Sequence, residues 1–209
     1  IHQLGKAGRG VQALKPVLSG YHDGDAATSD SGIILTALGE EPTPQAVAEI
    51  TPWRFTAPLS PDMAAAREGR DIDFAALCDF CRDHISAGNA DNKTTLIEGV
   101  GGVLVPLTND KTVADWIAAL ELKPILVVGG YLGALSHALT AWETMTARGI
   151  PPVSVVVSES PDVPVPLDET MNPLTRFLPP IPVLPLPRLL PADRVWATAP
   201  DLLAALVMS

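Results

Sequence analysis

The stretch that most limits what this chain can become is Thr94-Thr95-Leu96-Ile97-Glu98-Gly99-Val100-Gly101-Gly102. A short apolar run ends in a carboxylate, and glycines crowd the positions after it. That pattern reads as a buried strand whose C-terminal tip carries Glu98 into a Gly-rich turn. In open α/β sheets, ligands bind at the carboxyl ends of the strands. Glycines at such a tip let backbone N–H groups approach an anionic ligand closely. A carboxylate beside them suits Mg²⁺, an ion usually held by one or two carboxylates together with substrate phosphates. Taken alone, the same residues also fit a plain strand-to-loop turn with a surface Glu.

The rest of the chain repeats the theme. Val11 to Leu14, Pro124 to Val128, Val153 to Val157 and Pro182 to Leu186 are further apolar runs of strand length. Helical patterns lie between them: Ile33 to Leu38 after Ser29-Asp30, a short helix after Pro44, one starting at Pro61, one starting at Asp71 or Asp73, Thr112 to Leu120, and Leu135 to Ala147 closed by Gly149. Trp53 to Pro61 reads as extended and Ala87 to Asn92 as a loop. Beyond Pro151 prolines are dense, and helix is expected only over Glu169 to Phe177 and Pro200 to Val207. Continuous apolar strands alternating with helices predict an α/β fold, a mostly parallel sheet with helices on both faces. With 209 residues, 47% of them apolar, no internal repeat and no linker, positions 1–209 are expected to form a single domain. Ile1 to Arg9 looks like the tail of a helix, so the fold is expected to be incomplete at the N-terminus.

Charge and composition exclude several classes. The net charge is −10 and no basic stripe exists, which argues against a nucleic-acid partner. The most apolar stretch, Pro124 to Trp142, is broken by Gly129-Gly130 and carries Ser136 and His137, so strand-turn-helix is expected there and no membrane span. Cys78 and Cys81 form a C-x-x-C with His84 nearby, but zinc asks for a second cluster that the sequence lacks. Phe74, Cys78, Cys81 and Ile85 recur at helical spacing, so both thiols are read as core-face residues. Free thiols fit a cytoplasmic protein.

Chemistry-bearing residues collect at the strand tips. Lys15 and Ser19 follow one strand, Glu98 and its glycines another, and Tyr131 to Ser136 a third, with Asp30 close to the first in sequence. A Lys, two carboxylates, a Ser and a Gly turn are the parts of a Mg²⁺–nucleotide site. Each also has a plain structural reading: a solvated strand end for Lys15, a helix cap for Asp30, a turn for Ser19-Gly20. All of those readings together are much less economical than one site.

These residues, in order, resemble a known family. Lys15-Pro16-Val17-Leu18-Ser19-Gly20, Ser29-Asp30, Leu59-Ser60-Pro61 with Ala64-Ala65, Glu98 through Leu107, Ala114-Asp115, and Leu132-Gly133 with His137 look like dethiobiotin synthetase. Order and spacing agree from Lys15 to about Ser160, and only loosely from Pro161 on. The resemblance implies a P-loop-NTPase-like fold, a homodimer, and an ATP- and Mg²⁺-dependent ligase of biotin biosynthesis that joins CO₂ or bicarbonate to 7,8-diaminopelargonic acid and closes a cyclic urea. It gives Lys15 the catalytic role, Asp30 and Glu98 the Mg²⁺, and Ser19 with Gly133, Ala134, Leu135 and Ser136 the substrate. Gly99, Val100, Gly101, Ser158 and Leu186-Pro187-Arg188 fall on the nucleotide.

Two departures stand out. No G-x-x-x-x-G-K-[ST] occurs in these 209 residues, so they alone are expected to be a poor ATPase or ligase. Ser158 stands where the family commonly has Asn; a hydroxyl cannot pair with a donor and an acceptor of adenine in one plane as an amide can. The alternative reading is a non-catalytic dimeric ligand-binding relative that has lost its nucleotide site. Lys15 is further expected to face solvent, so that its replacement by Ala changes stability by no more than about 1 kcal/mol.

Overall fold

Among the described residues of the computed structural model every pairing between strands is parallel, as the run of apolar strands and crossover helices predicts. The structure describes residues 1–161, 165–189, 195–203 and 206. The chain forms two compact units, Ile1–Leu120 and Glu121–Ser209.

In the first unit, α1 (His2–Lys6) leads into β1 (Gly10–Leu14), which pairs in register with β4 (Lys93–Ile97), Leu14 opposite Ile97. After Lys15-Pro16 the chain forms a separate short strand, β2 (Val17–Ser19), paired with β3 (Trp53–Phe55). The sequence pattern predicts only a strand exit from Lys15 to Gly20 and extended chain from Trp53 to Pro61. Proline supplies the physical reason for the break, since it lacks the N–H a continuing ladder needs. The Lys15 N–H instead donates to the Ile50 carbonyl at 3.2 Å.

Helix α2 (Asp30–Leu38) starts where expected: Ser29 is its N-cap, its Oγ accepting from the Gly32 N–H. Helices α3 (Pro44–Ile50) and α4 (Pro61–Arg67) each begin on a proline. Asp73 caps α5 (Phe74–Ala90), which runs through most of the stretch expected as a loop from Ala87 to Asn92. That extension is stabilised by packing, not by propensity. Gly88 lets the last turn of α5 lie against the sheet, where a Cβ would stand 2.4 Å from Gln12 Nε2 and 2.6 Å from Thr95 Oγ1. The core of this unit gathers Val17, Phe55, Leu77, Cys78, Cys81, Leu107, Val113 and Trp116, so both thiols do face inward. Helix α6 (Val113–Leu120) closes the unit, with Asp115 accepting from the Thr112 N–H and hydroxyl.

In the second unit β5 (Ile125–Gly129), β6 (Ser154–Ser158) and β7 (Val183–Leu186) lie side by side in that order. The central strand β6 is almost wholly buried, as its run of valines demands. The outer strand β5 is more open, with Ile125 and Val127 exposed on one face. Pro185 sits in β7, the other outer strand, where a missing donor is tolerated. Helix α7 (Ala134–Ala147) buries one stripe, Ala134, Ala138, Trp142 and Met145, and leaves Leu135 and Leu139 half-buried beside it. Helix α8 (Leu167–Phe177) covers the expected stretch. Of the helix expected over Pro200 to Val207, positions 204, 205 and 207 lie outside the described residues. Among the described residues no helix is long and apolar enough to cross a membrane.

Candidate active site

Parallel pairing of β1 with β4 brings the two strand tips level, and the Glu98 N–H continues the ladder onto the Leu14 carbonyl at 2.9 Å. The residues just past those tips therefore face one another. Lys15 projects from the first, Glu98 and Gly99 from the second. The Lys15 ammonium donates to Glu98 Oε1 at 2.5 Å and to the Gly99 carbonyl at 2.8 Å, and stands 3.2 Å from Asp30 Oδ2 in the first turn of α2.

Burial sets the character of this cluster. Lys15 is 4% exposed, so the expectation of a solvent-facing Lys15 is overturned. A long side chain at a strand exit would ordinarily keep its charge in water. Here Glu98 and the Gly99 carbonyl accept two of its N–H bonds, and Asp30 adds a second ion pair. Both carboxylates are more than half exposed, at 55% for Asp30 and 52% for Glu98, and so remain open to a ligand.

The turn after Glu98 works as its glycines suggest. Gly101 has φ +60°, and a Cβ there would stand 2.8 Å from Val105 Cγ2. Val100 packs against the core and anchors the turn. At the end of β2, the Ser19 hydroxyl oxygen is buried without a hydrogen-bond partner among the described residues. An unsatisfied buried hydroxyl is open to a water or to a ligand group.

In the second unit the tips of β6 and β7 stand together. Ser158 is opposite Leu186, the Glu159 N–H donates to the Leu186 carbonyl at 2.9 Å, and Glu159 Oε2 accepts from the Arg188 N–H at 2.7 Å. The tip of β5 is tied to β6 by Ser160, whose Oγ accepts from the Gly130 N–H at 3.1 Å. Gly133 turns the chain into α7 at φ +95°. Ala134 is then buried, Leu135 half-buried and Ser136 exposed, while the Tyr131 hydroxyl meets His137 Nδ1 at 2.9 Å.

The AAA domain family matches residues 2–189, across both units. The ATP-dependent dethiobiotin synthetase BioD of Acidiphilium cryptum is 49% identical over 169 residues, 80% of this chain and 74% of that protein. The enzyme of the same name from Methylobacterium nodulans is 47% identical over 176 residues, 83% of this chain and 78% of its own. That of Phenylobacterium zucineum is 40% identical over 194 residues, 92% and 81% of the two chains.

The chain belongs to the dethiobiotin synthetase family.

Within that dethiobiotin synthetase scaffold, the residues singled out in the sequence fall into separate groups. Lys15, Asp30, Glu98 and Gly99 meet at one point of the first unit. Ser158 and Leu186 to Arg188 meet at another point, in the second unit, which also holds Gly133 to Ser136. Asp30 and Glu98 do converge on one cation, the Lys15 ammonium. Their donor set also fits Mg²⁺: two hard, half-exposed carboxylates with no third His, Cys, Asp or Glu grouped beside them among the described residues, which leaves positions for water and phosphate. Sequence reasoning did not single out the links made by Glu159 and Ser160. Only the strand register exposes them, because their partners are backbone groups distant in sequence.

Proposed function

We propose that this protein carries out the ATP- and Mg²⁺-dependent conversion of 7,8-diaminopelargonic acid and CO₂ to dethiobiotin in biotin biosynthesis, with positions 1–209 acting as one functional domain. The observation that carries the residue assignments is the buried Lys15 ammonium held between Glu98, Asp30 and the Gly99 carbonyl. In the proposed chemistry one amine of the substrate takes up CO₂ as a carbamate. A carbamate oxygen attacks the γ-phosphate of ATP, giving a mixed anhydride and ADP. The second amine attacks the carbamoyl carbon, phosphate leaves, and the cyclic urea closes.

Negative charge accumulates on the phosphoryl oxygens during the transfer, and a fixed cation in a water-poor setting stabilises it far better than a mobile one. Lys15 has that fixed character. Two of its N–H bonds are held by Glu98 and the Gly99 carbonyl, which leaves the third for a phosphoryl oxygen once the Asp30 ion pair opens. Asp30, the more distant and the more exposed carboxylate, is the one it releases at least cost. Asp30 and Glu98 would hold Mg²⁺, whose contribution is to offset phosphate charge. The orphaned Ser19 hydroxyl is assigned to the diamine substrate. Gly133, Ala134, Leu135 and Ser136 are assigned to its carboxylate, consistent with the affinity of a helix start for anions. Gly99, Val100 and Gly101 border the phosphates, and Ser158 with Leu186, Pro187 and Arg188 the base. A cytoplasmic homodimer is part of the same reading.

The test is to supply the full-length protein with diaminopelargonate, bicarbonate and Mg–ATP and to follow dethiobiotin by mass spectrometry together with phosphate release. One phosphate per dethiobiotin is the expected result. A protein that binds Mg–ATP and diaminopelargonate yet makes no dethiobiotin would overturn the reading.

A further inference from the structure

We infer that Glu159 is a positioning residue for the nucleotide: it fixes the segment Leu186-Pro187-Arg188 against the tip of β6 and thereby sets affinity for the base. The inference rests on the proposed placement of the base at these two tips. It begins from the position of the segment at the carboxyl end of a parallel strand, the end where α/β folds place their ligands.

Two bonds from one residue define the device. The Glu159 N–H donates to the Leu186 carbonyl at 2.9 Å, the last rung of the β6–β7 ladder. Its side chain then turns to the same segment, and Oε2 accepts from the Arg188 N–H at 2.7 Å. Glu159 thus holds the chain at both ends of Pro187. Proline restricts its own φ and the conformation of the residue before it. Pinned on either side, this tripeptide has very little freedom left.

The carboxylate bond is the informative one. A ladder rung forms wherever two strands pair, but a bond between a carboxylate and a backbone N–H beyond the ladder depends on the side chain. It is charge-assisted, short, and among the stronger kinds of hydrogen bond. Ser158, the neighbour of Glu159, has only a hydroxyl with which to read a base. Recognition at these tips then depends on how well the backbone of 186–188 is held, and Glu159 is the residue that holds it. Pre-ordering a binding segment removes its ordering cost from binding.

Two measurements on the full-length protein separate this inference from the reading beneath it. First, 8-azido-ATP is photolysed on the unaltered enzyme and the labelled peptide mapped. Label at 158–160 or 186–189 supports the base placement, and label elsewhere overturns both that placement and the role of Glu159. Second, Glu159→Ala and Glu159→Gln are compared by steady-state kinetics and melting temperature. Glu159→Ala should raise KM for ATP about tenfold with kcat and the KM for diaminopelargonate nearly unchanged, as expected when only binding common to ground and transition state is lost. Glu159→Gln retains an oxygen acceptor and should recover most of that loss. Discrimination between ATP and CTP should narrow in the Ala variant and return in the Gln variant. If the label maps to these tips while Glu159→Ala leaves KM for ATP and the ATP/CTP ratio unchanged, the positioning role is wrong and the base placement stands. If both variants lose stability and activity for all substrates alike, Glu159 is a structural residue and the inference also fails.

Discussion

The strand tips of Ile1–Leu120 are held by charge, and those of Glu121–Ser209 largely by backbone. In the first unit a buried ammonium gathers two carboxylates and a carbonyl. In the second, the fixed points are N–H groups of Gly130, Glu159 and Arg188, bonded to a hydroxyl, a carbonyl and a carboxylate. A buried charge exerts a strong field on whatever approaches it, because little water screens it. A backbone clamp exerts little field but fixes shape. On the proposed function, charge stabilisation falls to the first unit and ligand shape to the second. The two should then respond to different kinds of substitution.

The largest effect should come from Lys15→Ala. Removing one preorganised donor to developing charge costs a factor of about a hundred to a thousand in turnover. Stability should fall as well, contrary to what a solvent-facing lysine would show. The two carboxylates are left facing each other without their shared cation, and the buried stem leaves a void. Because both carboxylates are more than half exposed, water screens much of their repulsion, and the loss is expected to be about 1–2 kcal/mol. Turnover and chemical denaturation of the variant check both parts. Near-normal turnover would remove Lys15 from the chemistry and collapse the contrast between the units.

Next in size is a comparison of two glycines. A Cβ at Gly32, in α2 two residues after Asp30, would stand 1.9 Å from the Ala26 carbonyl oxygen. Backbone must move to admit it, so Gly32→Ala should cost roughly 1–3 kcal/mol, as overpacking does, and should displace the start of α2 together with Asp30. At Gly133 a Cβ would make only an ordinary contact, with His137 Cε1 at 4.0 Å, but φ is +95°. Gly133→Ala should cost about 1 kcal/mol, the strain of a left-handed non-glycine residue. Melting curves for the two variants give the order. A larger loss at Gly133 than at Gly32 would mean that the second unit is the more tightly determined of the two.

Glu98→Gln should act between these on function and less on stability. The amide oxygen can still accept from Lys15, so the fold survives, while the charge that a Mg²⁺ ion would see is gone. The Mg²⁺ concentration for half-maximal activity should rise about tenfold, in line with what altered metal surroundings do to affinity. An unchanged Mg²⁺ dependence would place the ion elsewhere.

Much of this contrast was readable from residues in order, and some was not. The tip of β4 was legible because an apolar run, a carboxylate and glycines occur consecutively. The caps were legible to within a pair of candidates, Ser29 or Asp30 and Asp71 or Asp73, because a cap is a local interaction; the structure selects Ser29 and Asp73. The burial of Lys15 was not, since it depends on a turn more than eighty residues away closing over it. Nor was the separate strand β2, whose partner is β3, or the final turn of α5, which Gly88 allows to press on Gln12 and Thr95. Nor were the bonds of Glu159, whose partners are backbone groups some thirty residues on in the sequence. Local chemistry is thus written in the sequence, while long-range closure is decided by packing.

The smallest effect at neutral pH, and the cleanest probe of the first unit alone, concerns its thiols. The chain has two cysteines, Cys78 and Cys81, both buried in α5. Burial pushes the Cys81 thiol from about 9 up to about 12, and raises that of Cys78 as well. In the unfolded chain these thiols ionise at their ordinary value, so the unfolded state sheds protons first as pH rises. Stability from the two thiols is therefore whole below about pH 9 and declines as pH climbs from about 9 towards about 12. At pH 8 both thiols should react with an aromatic disulfide reagent only as fast as the first unit opens, far more slowly than in the denatured chain. Cys81→Ala should flatten the alkaline slope of stability measured in urea. Thiols that react at the denatured rate in the folded protein would show that α5 is not packed as described. A flat alkaline profile in the unaltered chain would show that Cys81 ionises without leaving the core.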